Sequence, residues 1–200
     1  MSGYANRGRE AARRGEAAAL EHAVINPPNS ADASRALRRL TKQLDQRFAP
    51  VHERRLTRAV RLAKMVESSH GAEVDCPRGA GAHLAELARC LSAHRREEDQ
   101  ILSAALADRH RAETSTRLKT LRDQHGAIGQ HLMRLAVLTH DFTPPPGVDR
   151  TWRTLCRICR DLDHDLREQM RLEDNVIYPS LGSSNDTAAS PKLVRHVVRA

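Results

Sequence analysis

His94 is followed four residues later by Glu98, and Gln169 four residues later by Glu173. Residues four apart stand one above the other on a single helix face. A His–Glu pair at this spacing therefore aims an imidazole nitrogen and a carboxylate at a common interior point, the ligand chemistry of non-haem iron, with manganese and zinc as alternatives. The first copy, His94-Arg95-Arg96-Glu97-Glu98, is complete; the second, Gln169-Met170-Arg171-Leu172-Glu173, carries an amide where a metal site would want an imidazole. His52 and His125 extend the set, each on the apolar stripe of its own segment. A single core histidine is more often bonded to a neighbour than a metal ligand. Buried carboxylates are harder to dismiss, because they are costly unless paired, protonated or bound to a cation.

Four apolar stripes must position these groups. Hydrophobic spacing predicts a helix over about 31–68, with Leu37, Leu40, Leu44, Phe48, His52, Leu56 and Val60. Others are predicted over about 82–108 (Leu84, Leu87, Leu91, His94, Glu98, Leu102) and about 113–140 (Leu118, Leu121, His125, Ile128, Leu132, Leu135). The last covers about 150–179, with Leu155, Ile158, Leu162, Leu166, Gln169, Glu173 and Val176. Pro50 should kink or locally open the first helix near His52. Gly71, Pro77, Gly79 and Gly81 mark one connection, and Thr143-Pro144-Pro145-Pro146-Gly147 another. Short connections between amphipathic helices imply an all-α, up-down-up-down antiparallel four-helix bundle. The second and fourth helices then run parallel, and the six polar residues converge at about one height. Residues 1–29 are expected as a mobile N-terminal arm, 30–181 as the bundle and 182–200 as a C-terminal tail.

With 200 residues and 2% aromatics, the core must be built mainly from Leu, Ala, Val and Ile. The net charge of +8 is almost all arginine, Lys standing only at 42, 64, 119 and 192. We read this as a solvated Arg/Glu helix surface; no nucleic-acid motif accompanies it, and nucleic acid is not an expected partner. There is no run of about 18 apolar residues for a membrane span, and Met1 to Arg7 lack a secretory apolar region, so a cytoplasmic location is expected. Cys156-Arg157-Ile158-Cys159 has CxxC spacing but no second pair to complete a zinc site. Cys90 and Cys159 are expected as small buried hydrophobes.

Over about 35–181 the chain resembles the hemerythrin-like Repair of Iron Centres family, bacterial di-iron proteins of iron–sulfur cluster repair. The resemblance rests on Val51-His52-Glu53-Arg54, the loop from His70 to Gly79, His94 to Leu102, Asp123-Gln124-His125, the triple proline before Trp152, and Leu172-Glu173-Asp174-Asn175-Val176-Ile177-Tyr178-Pro179. It implies two non-haem irons held by histidines and bridged by two glutamates. His52, His94 and His125 match three histidine ligands, Glu98 and Glu173 the bridging pair, and His70 a loop histidine that at most supports the ligands. It also implies partners: damaged iron–sulfur proteins, or the small gases NO and O2, in nitric oxide and oxidative stress. Homodimerisation and enzymatic turnover are left open.

Two departures bear on function. Gln169 stands where the fourth histidine is expected, so one iron position should be weaker or empty. His164 and His131 do not substitute, being rotated about 140° and about 120° from the relevant stripes. The arm also lacks the adjacent cysteines that family members often carry there. The reading is therefore a (di-)iron repair-like protein; the alternative is a mono-metal or metal-depleted sensing or binding module without repair activity.

Overall fold

The structure, a computed structural model, describes residues 18–26, 30–106 and 111–182. Its helices are α1 (Ser30–His70), α2 (Ala80–Leu106), α3 (Arg111–Leu138), α4 (Arg150–Leu172) and α5 (Tyr178–Gly182), with a π-helical turn at Glu173–Ile177 between α4 and α5. Residues 18–25 are also helical, and no strand occurs among the described residues. None of the described helices is long and apolar enough to cross a membrane.

The first helix carries Pro50 and continues to His70, packed against both α2 and α4, so the missing backbone bond does not end it. One local expectation is corrected. The fourth segment is not one α-helix to Pro179, because the backbone widens into a π-turn at Glu173. Within the expected arm, Val24 is buried and joins the core cluster of Leu37, Leu40 and Phe48. The remainder of the arm (1–17 and 27–29) and the tail beyond residue 182 lie outside the described residues.

The contacts set the axial register. Glu67 of α1 accepts from the Gly81 amide of α2 at 2.9 Å, and farther back along α1 His52 meets Arg95 at 2.9 Å. Between α2 and α3, His83 pairs with His131 and His94 with Gln124. Between α1 and α4, Arg55 pairs with Asp165 and Arg47 with Glu168. In each pair of helices one number rises as its partner falls.

The connections are fixed locally. A Cβ on Gly71 would lie 2.6 Å from the Glu67 carbonyl oxygen, so α1 ends where only glycine fits. The Asp149 carboxylate accepts the Trp152 amide at 2.9 Å and caps α4. The His70 ring packs on Trp152 and also bonds Glu73, fastening the end of α1 to the start of α4.

The core is split in two. One apolar cluster gathers Leu56 to Val66, Leu84 to Leu91, Ile128 to Leu135 and Trp152 to Leu166; the other gathers Val24, Leu37 to Phe48, Ile101, Leu102, Leu118, Leu121 and Leu172 to Tyr178. Between them along every long segment lie buried polar residues: His52, His94, Glu98, His125, Gln169 and Glu173.

The four cysteines are free. Cys90 is only half-buried, with Sγ 3.6 Å from His131 Nε2, so it is not the enclosed hydrophobe expected. Burial pushes the Cys156 thiol up to about 11 and the Cys159 thiol up to about 12. Such buried thiols stay protonated at neutral pH and pack as small hydrophobes.

Leu162 is fully buried in the first cluster. Replacing it with Ala should cost about 2–5 kcal/mol, measured by urea unfolding followed by circular dichroism; a loss well under 1 kcal/mol would contradict this packing.

Candidate metal centre

His94 projects from the middle of α2 and His125 from the middle of α3, and their Nε2 atoms face each other at 3.1 Å. The outer nitrogen of each ring meets an acceptor. His94 Nδ1 lies 2.8 Å from Gln124 Oε1, and Gln124 in turn donates to Glu97 at 2.6 Å. His125 Nδ1 lies 3.0 Å from Asp174 Oδ1. An acceptor at Nδ1 places the ring proton there and turns the Nε2 lone pair inward, the tautomer a metal-binding imidazole needs.

Glu173 completes this half: its Oε2 is 3.2 Å from His125 Nε2, a close approach without hydrogen-bond geometry. Ligand atoms of His94, His125 and Glu173 all lie within 4.8 Å of one another. Neighbouring ligands on a six-coordinate cation with bonds of about 2.1 Å stand about 3.0 Å apart. The two separations from His125 Nε2, to His94 and to Glu173, match that spacing.

Glu98 lies one turn beyond His94, with Oε2 3.9 Å from His94 Nε2 and Oε1 accepting from the Tyr178 hydroxyl at 2.7 Å. Its pKa is raised by burial and then by the Glu173 charge. Burial alone would lower His125, but the Asp174 and Glu173 carboxylates outweigh it and push the ring up to about 9. Without a metal, a proton on His125 supplies part of the positive charge the carboxylates require.

The π-turn makes this arrangement possible. On an α-helix, adjacent residues point about 100° apart, yet Glu173 and Asp174 both reach His125. The widened turn lets them do so, and it also brings in Tyr178, whose hydroxyl is 3.4 Å from His125 Nε2. π-Bulges are frequent at functional sites for this reason.

The other half, around His52 and Gln169, is built differently. His52 is fully buried, and its Nδ1 meets Arg95 Nη2 at 2.9 Å. Its pKa falls to about 3, mainly through burial and then through the charges of Arg95 and Arg55. Its Nε2 is buried without a partner. Gln169 donates Nε2 to Glu173 Oε1 at 2.6 Å, leaving its own Oε1 buried and unpaired. A cavity of about 30 Å³ adjoins this half, bordered by Arg95, Glu98, Gln169 and Glu173.

The structure thus gathers His94, Glu98, His125, Gln169 and Glu173 into one layer and joins His52 to it through Arg95. It leaves out His70, which lies about 27 Å along α1 from His52 and serves the junction with α4. Sequence reasoning missed Gln124, Asp174, Tyr178 and Arg95. Only Asp174 and Tyr178 had a signal, as polar or aromatic neighbours of Glu173 in a segment assumed to keep the α-period.

The model of the hemerythrin HHE cation binding domain family matches residues 35–181. The iron-sulfur cluster repair protein YtfE of Yersinia pseudotuberculosis serotype IB (strain PB1/+) is 31% identical to this chain over 163 residues, covering 81% of the chain and 74% of that relative. YtfE of Yersinia pestis (strain Pestoides F) is similar to the same extent.

Tyr178→Phe removes the donor to Glu98 and leaves a buried acceptor unpaired. The metal-free protein should lose about 1–3 kcal/mol in urea unfolding; unchanged stability would mean that this bond does not support the layer.

Proposed function

The chain belongs to the hemerythrin HHE cation binding domain family, and from that premise we propose that it is a non-haem iron protein of the iron–sulfur cluster repair class. The observation that carries the proposal is the convergence of ligand atoms of His94, His125 and Glu173 within 4.8 Å of one another, with His94 and Glu173 each about 3 Å from His125 Nε2. The likeness to proteins named for cluster repair supports the repair class. The reversed pairing order of neighbouring helices supports an up-down-up-down antiparallel four-helix bundle over 30–181. We place the protein in the cytoplasm, where damaged iron–sulfur proteins are its expected partners.

His94, His125, Glu173 and Glu98 would hold iron in one position. The second position of a di-iron pair would draw on His52, Gln169 and the same two carboxylates, and is the weaker because an amide is a poor ligand. Iron bound there would supply redox capacity, a seat for NO or O2, or a metal ion for a damaged cluster.

The chain's own residues set the conditions for that chemistry. Gln124 and Asp174 hold the two imidazoles in the ligating tautomer. Tyr178 and Gln169 each bond one oxygen of Glu98 and Glu173 respectively, leaving the other for the centre. The two apolar clusters restrict water to the layer and its small cavity. The substitution at Gln169 favours a second reading, a mono-metal sensing or binding module without repair activity.

The test is direct. Protein from iron-replete cells, purified without oxygen, should carry iron, and His125→Ala or Glu173→Ala should remove most of it while circular dichroism is retained. Gln124→Leu should weaken iron binding about 10–100-fold in a chelator competition. Wild-type protein free of iron would overturn the iron reading. The repair reading requires the loaded protein to restore an iron–sulfur enzyme damaged by nitric oxide beyond what an equal amount of ferrous salt achieves. Iron binding without restoration would leave the sensing module.

A further inference from the structure

The two halves of the polar layer differ in the direction of one hydrogen bond. At His94 and His125 the outer nitrogen faces an acceptor, Gln124 Oε1 or Asp174 Oδ1. At His52 it faces Arg95 Nη2. A guanidinium has five donors and no acceptor, so His52 Nδ1 must accept. The neutral ring then carries its proton on Nε2, the atom a metal would need unprotonated. Nε2 is buried with nothing to bond, so the ring points inward as a ligand would but in the wrong tautomer.

The remaining features agree. Arg95 is anchored a second time, by Nη1 to the Ala49 carbonyl oxygen at 3.4 Å. Burial lowers the pKa of this guanidinium, and the charges of Asp45, Glu173, Glu98 and Glu53, which include both candidate bridging carboxylates, act against that. It borders the small cavity together with Gln169, Glu98 and Glu173. The Gln169 amide spends its donor on Glu173 Oε1, the oxygen a second cation would have to share. The His52 half therefore does not fit a metal ion, whereas the His94 half does.

We infer that the Arg95 guanidinium stands in for the second cation, so that the chain takes one transition-metal ion, on His94, His125 and Glu173, with a fixed organic cation beside it. This rests on the iron reading above and narrows it. A divalent ion with an arginine brings three positive charges to the two buried carboxylates, and a metal pair would bring four. The arginine thus meets most of the electrostatic demand without a fourth histidine. Glutamine at 169 follows, because a His there would face a guanidinium rather than a metal.

The experiment loads four proteins with excess ferrous iron under anaerobic conditions, removes unbound metal and measures iron per chain, with a Mössbauer spectrum for coupling. Wild type should hold one iron, uncoupled. Gln169→His alone should also hold one, because Arg95 still fixes the His52 tautomer. Gln169→His with Arg95→Gln should rise about twofold to a coupled pair, since the new amide oxygen can accept from His52 Nδ1. Gln169→His with Arg95→Lys, which keeps a donor and a charge, should stay at one. Two coupled irons in wild type, two in Gln169→His alone, or no gain in the Arg95→Gln double variant would each overturn the inference. Absence of iron from wild type would instead overturn the iron reading on which it rests.

Discussion

Two carboxylates, Glu98 and Glu173, lie buried between two apolar clusters of the bundle. Desolvating an unpaired carboxylate costs several kcal/mol, so every neighbour must answer to these two. Tyr178 donates to one and Gln169 to the other; Arg95 favours charge balance from one side and His125 from the other. The split of the apolar core into two clusters follows from the same demand, because a layer this polar cannot be closed over by methyl groups.

Much of this was legible in the sequence. A stripe of leucines at three- and four-residue steps defines each long helix, and the structure reproduces the first three to within about two residues, the expected looseness of helix ends. The positions of His94, Glu98 and His125 followed from the same period, since a polar residue on a buried stripe has nowhere else to point. The structure departs where the period itself fails. At Glu173 the backbone leaves the 3.6-residue repeat, and no hydrophobic pattern announces it, because Val176, Ile177 and Tyr178 are apolar under either winding. Asp174 could therefore be read only as a polar neighbour of Glu173, and Tyr178 only as core. Pro50 removes one backbone donor, and packing on two sides carries the helix past it.

Arg95 shows a different limit. Beside His94 in sequence, it points about 100° away around the helix, which reads as surface unless the neighbouring helix is known. With α1 in place it meets His52. Residue type could nominate His52 as a ligand; only the partner on its far nitrogen decides which tautomer it holds. The six polar positions could thus be read from spacing, while the distinction between the two halves depends on a contact between helices separated by more than forty residues.

The layer also joins helices. α3 packs extensively against α2 but meets α4 less closely, and several of its polar links to the fourth segment converge on His125, through Asp174 and Glu173. Each of those links places a lone pair or a negative charge opposite the ring, so their strength depends on what positive charge lies between them. A proton on His125 satisfies one contact at a time. A cation shared by His94, His125 and Glu173 would satisfy all of them at once, tying α2, α3 and the π-turn through a single point. Arg95 ties α1 into the same layer whether or not a metal is bound, because its charge is covalently attached. The half of the site beside Arg95 thus has a cation of its own, and a metal ion on the other half would sit at the seam between α3 and the π-turn.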